Sequence, residues 1–201
     1  MTIKAVIFDF GGVFVDYGSF ESVHVFAAKK LGLPETEVAP LIIKNSKKMQ
    51  NGGLTKSQLL SMISKRFHVT PKEWTSAFRQ SMKKTCRIKK ELVEFAKILR
   101  KKGYIVALLS NVGPMTAEFN RKHGWYDCFS PLILSYEVKV LKPQKKIYTI
   151  ALKKIKVKPK ECVFIDDHDK CLDTARKLGM RTILFKDSRQ VIRDLSKLIK
   201  F

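Results

Sequence analysis

Five short runs of β-branched and aliphatic residues, separated by stretches with helical spacing, constrain the fold of this chain more than any other feature. The runs are IKAVIFDF (3 to 10), YIVALLS (104 to 110), LILSYEV (132 to 138), CVFIDD (162 to 167) and RTILFK (181 to 186). Amphipathic segments lie between them near 90 to 102, 114 to 123, 144 to 156 and 169 to 178. A strand that returns to a parallel neighbour needs a crossover long enough for a helix, so this alternation predicts an α/β fold of doubly wound, Rossmann-like type. Continuous apolar runs such as AVIF and CVFI suit strands buried on both faces. Gly103 and Gly179 stand where the preceding helices should stop before a strand.

The stretch from 15 to 86 breaks this rhythm. It holds no convincing strand but four helical patterns, FESVHVFAAKKLG, ETEVAPLIIKNSKKM, TKSQLLSMISKRF and PKEWTSAFRQSMKK. Thr55 and Thr70 are expected helix caps, with Pro71 at a helix start. Trp74 and Phe78, four residues apart, form the apolar stripe of the last of these helices. The expected organisation is a core domain of residues 1–14 and 87–201, with a small helical cap of residues 15–86 inserted after the first strand. A chain of 201 residues that is 45% apolar is long enough for both.

Charge is the unusual feature of the composition. Forty Lys and Arg against 18 Asp and Glu give a net charge of +22. Residues 15 to 89 hold 14 basic and 5 acidic side chains and the rest of the chain 26 and 13, so the excess is spread throughout. A basic arm for nucleic acid would be concentrated and rich in interleaved aromatics, so a nucleic-acid partner is possible but not favoured. The four cysteines form no CxxC pair, which argues for reduced thiols in a cytoplasmic protein rather than for zinc or disulfides. No run approaches the ~18 apolar residues of a membrane span, and no membrane partner is expected. Oligomeric state is not written in the sequence.

In open parallel sheets, ligands bind at the carboxyl ends of the strands, and the conspicuous polar residues fall there. Asp9 ends the first strand, where a carboxylate can ligate a cation or attack phosphorus, and Gly11 and Gly12 follow, letting a ligand approach the backbone. Strand-end Asp-Gly is also ordinary turn chemistry. Ser110 and Asn111 offer a hydroxyl, an amide and main-chain N–H groups to phosphate oxygens, or simply a turn. Lys142, before a proline and a helix, is a countercharge to phosphate and acids. Asp166 and Asp167 are adjacent acids whose repulsion calls for a cation or a lysine, and oxygen ligands of this kind suit Mg²⁺.

The order Asp, then Ser-Asn, then Lys-Pro, then Asp-Asp resembles the haloacid dehalogenase-like hydrolase superfamily. FDFGGVF, LLSNV, KPQKKIY and FIDDHDKCLDTARKLGM are similar to its four motifs in sequence, across essentially the whole chain. The resemblance implies a Mg²⁺-dependent hydrolase of phosphate monoesters working through an aspartyl-phosphate, with a small phosphorylated metabolite as partner. It implies Asp9 as nucleophile and metal ligand, the Gly11 carbonyl as a second metal contact, and Asp167 with Asp166 holding the metal. Ser110, Asn111 and Gly12 would meet the phosphate, and Lys142 would stabilise the phosphoryl group.

Gly11 departs from the pattern, since phosphatases of the superfamily usually carry there a second aspartate that serves as general acid and base. Such help is worth about a hundred- to ten-thousand-fold in rate. Three readings follow, in order of preference. The substrate has a good leaving group, as in a sugar 1-phosphate; another group serves, with His168, Asp16, Tyr17 and His24 as candidates; or the protein is a regulatory phosphate-binding module with little turnover. A 2-haloacid dehalogenase also lacks the second aspartate, but it needs no cation site, against which the Asp166–Asp167 pair argues.

Overall fold

The computed structural model describes residues 2–18 and 20–199. The five predicted runs become one parallel sheet, β1 (Ala5–Phe8), β4 (Ile105–Ser110), β5 (Leu132–Leu134), β6 (Cys162–Asp166) and β7 (Arg181–Leu184), in the spatial order β5-β4-β1-β6-β7. Strand β1 is central, with Ala5 paired to Ile105 on one side and Cys162 on the other. The chain first builds outward through β4 and β5, then returns across β1 to add β6 and β7. The carboxyl ends of β1, β4 and β6 therefore flank the point where the winding direction reverses, which is the ligand crevice of such sheets.

Alternate residues of each strand feed opposite layers. Val6, Phe8, Val106 and Leu108 belong to one core, which α5 (Lys90–Lys101) and α10 (Ser188–Ser196) cover with Leu92, Leu99 and Val191. Ile7, Ala107, Leu109 and Phe164 belong to the other, covered by α8 (Lys145–Ile155) and α9 (Asp169–Lys177). A further helix, α6 (Pro114–Lys122), follows β4. The predicted glycine stops are present, with φ at +86° for Gly103 and +88° for Gly179, a region that only glycine enters without steric penalty.

The helical stretch forms α1 (Phe20–Lys30), α2 (Glu35–Gln50), α3 (Lys56–Phe67) and α4 (Pro71–Thr85). Thr55 and Thr70 both close capping boxes, with Gln58 and Glu73 returning the bond to the cap N–H. Trp74, Phe78 and Met82 are buried on one face of α4. This apolar face is continuous with the core on the β1 side, through Phe10, Phe14 and Met115. Among the described residues, no helix is long and apolar enough to cross a membrane, and all four cysteines are buried with free thiols.

The structure differs from the sequence reading in two elements. The run LILSYEV is a strand only over Leu132–Leu134, after which Ser135–Val138 turns into the short helix α7. Ser135 is fully buried there and its Oγ accepts the N–H of Val112 at 2.9 Å, a tie to the β4 end that an extended continuation would break. The helical stretch is also bracketed by a two-stranded antiparallel ribbon, β2 (Val15–Asp16) with β3 (Arg87–Ile88). Two-residue strands are too short to show a period, so the pattern could not reveal them.

Candidate active site

Asp9 leaves β1 at the crevice, with its N–H still bonded to the Ile165 carbonyl at 2.8 Å. Its Oδ1 accepts from the Phe10 N–H at 2.7 Å and from the Lys142 ammonium at 2.8 Å. Both contacts fall on one oxygen, so Oδ2 has no protein partner among the described residues. Lys142 reaches in from the loop before α8 with its side chain 2% exposed, and also bonds Asp166 Oδ2 at 2.6 Å. The other Asp166 oxygen accepts the His168 N–H at 2.8 Å.

The electrostatics of this trio follow from burial. Desolvation pushes the Asp9 carboxyl above its usual range and the Asp166 charge adds to the shift, while Lys142 opposes both. Burial alone would lower the Lys142 ammonium, but the two carboxylates outweigh it and hold the group protonated, above its ordinary value. A buried lysine between two acids is thus a fixed positive charge.

Lys142 is held in place by Asn111. The Asn111 side chain accepts from the Lys142 N–H at 2.8 Å and donates to the Lys142 carbonyl at 3.0 Å, as a neighbouring strand would. One N–H of the Asn111 amide therefore fixes the lysine, while the residue still borders the cavity. The Ser110 side chain is buried at the end of β4 and borders the same cavity.

Asp167 and the glycines complete the floor. Gly12 has φ at +76°, and a Cβ there would sit 2.1 Å from Asp167 Oδ2. Glycine is required by the backbone and by the carboxylate pressed against it. The Gly12 N–H donates to the Val15 carbonyl at 2.9 Å, and its carbonyl accepts from Lys89 at 3.0 Å, so what Gly12 offers a ligand is space. Gly11 differs, since its φ is ordinary and a Cβ would meet only the Tyr17 ring, at 3.3 Å. Tyr17 thus fills the place of a side chain at position 11. Its hydroxyl accepts from Asn120 Nδ2 at 3.0 Å, and burial raises its pKa well above the ordinary value.

One cavity of about 870 Å³ gathers Asp9, Gly11, Gly12, Ser110, Asn111, Lys142, Asp166 and Asp167. It also takes in all four groups considered as substitutes for the missing acid, Asp16, Tyr17, His24 and His168. His168 is exposed, with Nδ1 2.7 Å from Asp167 Oδ1, a bond that raises its pKa. Burial drives His24 the other way, to about 4. Sequence reasoning missed Val23, Gln50, Phe78, Met82 and Thr116 as walls of this cavity, and it missed the clasp of Asn111 on Lys142. Periodicity marked Phe78 as buried, but it carries no signal for which buried residues face a cavity.

Donor atoms of Asp166, Asp167 and His168 lie within 4.8 Å of one another. Asp9, Asp166 and Asp167 bring three carboxylates against one buried ammonium. Surplus negative charge on these oxygen donors fits a hard divalent cation such as Mg²⁺.

Residues 3–179 match the family of haloacid dehalogenase-like hydrolases. The chain belongs to that family. It is 27% identical over 196 residues to the D-ribitol-5-phosphate phosphatase of Bacteroides thetaiotaomicron, covering 90% of each chain. It is 32% identical over 121 residues to bifunctional epoxide hydrolase 2 of Rattus norvegicus, 55% of this chain and 21% of that one. This chain spans about a fifth of the length of that relative. A haloacid dehalogenase family enzyme from B. thetaiotaomicron, solved in complex with magnesium and inorganic phosphate, superposes with a TM-score of 0.74 at 25% identity, over 92% of this chain and 94% of the other.

Proposed function

We propose that this chain is a Mg²⁺-dependent phosphomonoester hydrolase in which Asp9 attacks phosphorus. The observation that carries the reading is the asymmetry of Asp9, with Oδ1 held by Lys142 and Phe10 and Oδ2 left unshared. The family, the phosphatase relative and the magnesium–phosphate complex of a related enzyme support it. We take residues 1–14 and 87–201 as the catalytic core and residues 15–86 as the cap. Asp9, Asp167, Asp166 and the Gly11 carbonyl are the groups to hold Mg²⁺, which when bound supplies countercharge to the phosphoryl oxygens.

Asp9 Oδ2 forms a bond to phosphorus while the bond from phosphorus to the ester oxygen breaks and its electron pair stays on that oxygen. Lys142 stays protonated and balances charge through the step, and the Ser110 hydroxyl, which borders the cavity, is assigned as a donor to a phosphoryl oxygen. The alkoxide takes a proton from solvent. Water then bonds to phosphorus as the Oδ2–phosphorus bond breaks, its electron pair returning to Asp9. One water proton passes to solvent while the other leaves on inorganic phosphate. With Tyr17 filling the space beside Gly11, no carboxyl stands there to protonate the leaving oxygen. Substrates whose alcohol leaves with little protonation are therefore favoured. A dehalogenase acting on carbon needs no cation site, which the cluster of Asp9, Asp166 and Asp167 would supply.

Phosphate release from a panel of monoesters, with Mg²⁺ and with EDTA, tests the reading. Metal-dependent release by the native protein and none by Asp9→Asn is the expected result. Turnover retained in a pure Asp9→Asn preparation would overturn the covalent mechanism.

A further inference from the structure

The cavity extends well past the acids and Lys142, and its far wall comes from the helices between β1 and β4. Val23 of α1 and Phe78 and Met82 of α4 line it, with His24 stacked on Phe78 at a ring separation of 5.7 Å. A small crevice of about 30 Å³ shares His24, Gln50 and Phe78 with the cavity and is otherwise walled mainly by Met49, Leu59 and Met115. The ester's alcohol must occupy this space once its phosphate is at Asp9.

What is missing from that wall is as informative, given the composition. Residues 15 to 89 carry 14 basic side chains, yet among the described residues none of them lines the cavity. The ionisable groups that these residues do present are Asp16, Tyr17 and His24. Burial keeps the His24 imidazole uncharged at neutral pH and the Tyr17 phenol protonated, so the charge facing the alcohol from this side is the Asp16 carboxylate. From the core, Lys142 is committed to Asp9 and Asp166, and exposed Lys170 at the start of α9 is the other lysine on the lining.

We infer that the substrate is a monoester of an uncharged alcohol with an apolar, ring-sized body, and that Phe78 and the uncharged wall around it select against a second anionic group. A second phosphate held against this wall would lose its hydration where the wall gives it no cation and sets Asp16 against it. An apolar ring instead gains contact with Phe78, Met82 and Val23, while Gln50 and Thr116 offer single hydrogen bonds. Most of the +22 charge therefore has no part in recognising the substrate. This inference rests on the phosphatase reading and narrows it.

Steady-state kinetics with Mg²⁺ on three primary phosphate esters tests it, because similar leaving groups make differences in kcat/KM report the pocket. Benzyl phosphate should exceed ribitol 5-phosphate by about tenfold and fructose 1,6-bisphosphate by about a hundredfold. Phe78→Leu should shrink the ratio of kcat/KM for benzyl phosphate to that for ribitol 5-phosphate several-fold, mainly through KM for the benzyl ester. Gln50→Lys, at a half-buried site, should raise kcat/KM for the bisphosphate. Preference of the native protein for the polyol or the bisphosphate, or selectivity unmoved by both variants, overturns the inference and leaves the phosphatase intact. No release from any ester overturns both.

Discussion

His24 gives this protein an acid sensitivity whose size follows from its burial. The imidazole is 5% exposed, and desolvation lowers its pKa from 6.5 to about 4. Below pH 6.5 the unfolded chain takes up a proton that the folded chain refuses, so stability is lost as pH falls. The loss begins near 6.5, runs to about 4 and stops once the folded state also binds the proton. At about 1.4 kcal/mol per pH unit, that window corresponds to roughly 3 kcal/mol. With a urea m-value of about 2 kcal/mol/M, the unfolding midpoint should drop by about 1.5 M across the window from this group alone. Other acids titrate in the same range, so the quantity to measure is the difference between the native protein and His24→Leu, each unfolded in urea at pH 7, 6, 5 and 4. The variant should lose less, by about that amount, whatever its stability at pH 7. Parallel pH profiles, or an NMR titration placing His24 near 6.5, would refute the argument.

Lys142→Met should leave Asp9 and Asp166 buried without their ammonium and destabilise the fold by about 3–5 kcal/mol, with turnover abolished; thermal melts should show the deficit narrowing as acid neutralises the carboxylates. Gly12→Ala forces a side chain into a left-handed backbone, at about 1–2 kcal/mol, and pushes Asp167 aside. Calorimetric Mg²⁺ titration should show weakened binding even where the variant remains folded, and unchanged affinity would mean that Asp167 is no ligand. Gly11→Asp alone should lower the melting temperature because Tyr17 must yield, whereas Gly11→Asp with Tyr17→Ala should recover part of the loss and show faster phosphate release than either single variant.

The strand order was not written in the sequence, but the strand and helix alternation was, because apolar period and glycine stops are local signals. The motif residues were legible for the same reason, as each sits at the end of an apolar run. Side-chain direction was not. Asn111 stood out because it follows β4 beside Ser110, and only the loop returning from 31 residues further on shows that its side chain also clasps Lys142. Gly11 looked like an empty position until Tyr17, across the β2 turn, was found against it. Residues 135–138 turned helical because a buried serine is tied to the neighbouring strand end. In each case the deciding contact is remote in sequence and leaves no periodic trace.

The packing of Tyr17 on Gly11 also bears on how this active site could change over generations. A glycine codon is one base from an aspartate codon, so the usual second acid is within easy mutational reach. With the ring 3.3 Å from the place of the first side-chain carbon, that step asks Tyr17 to give by a few tenths of an ångström. Shrinking position 17 first opens a void beside the nucleophile and gives up the phenol bonded to Asn120. Either order of change disturbs the other residue, so the two positions are coupled. A lineage that acquired this pair could improve catalysis more readily by reshaping the pocket around its substrate than by regaining the missing carboxylate.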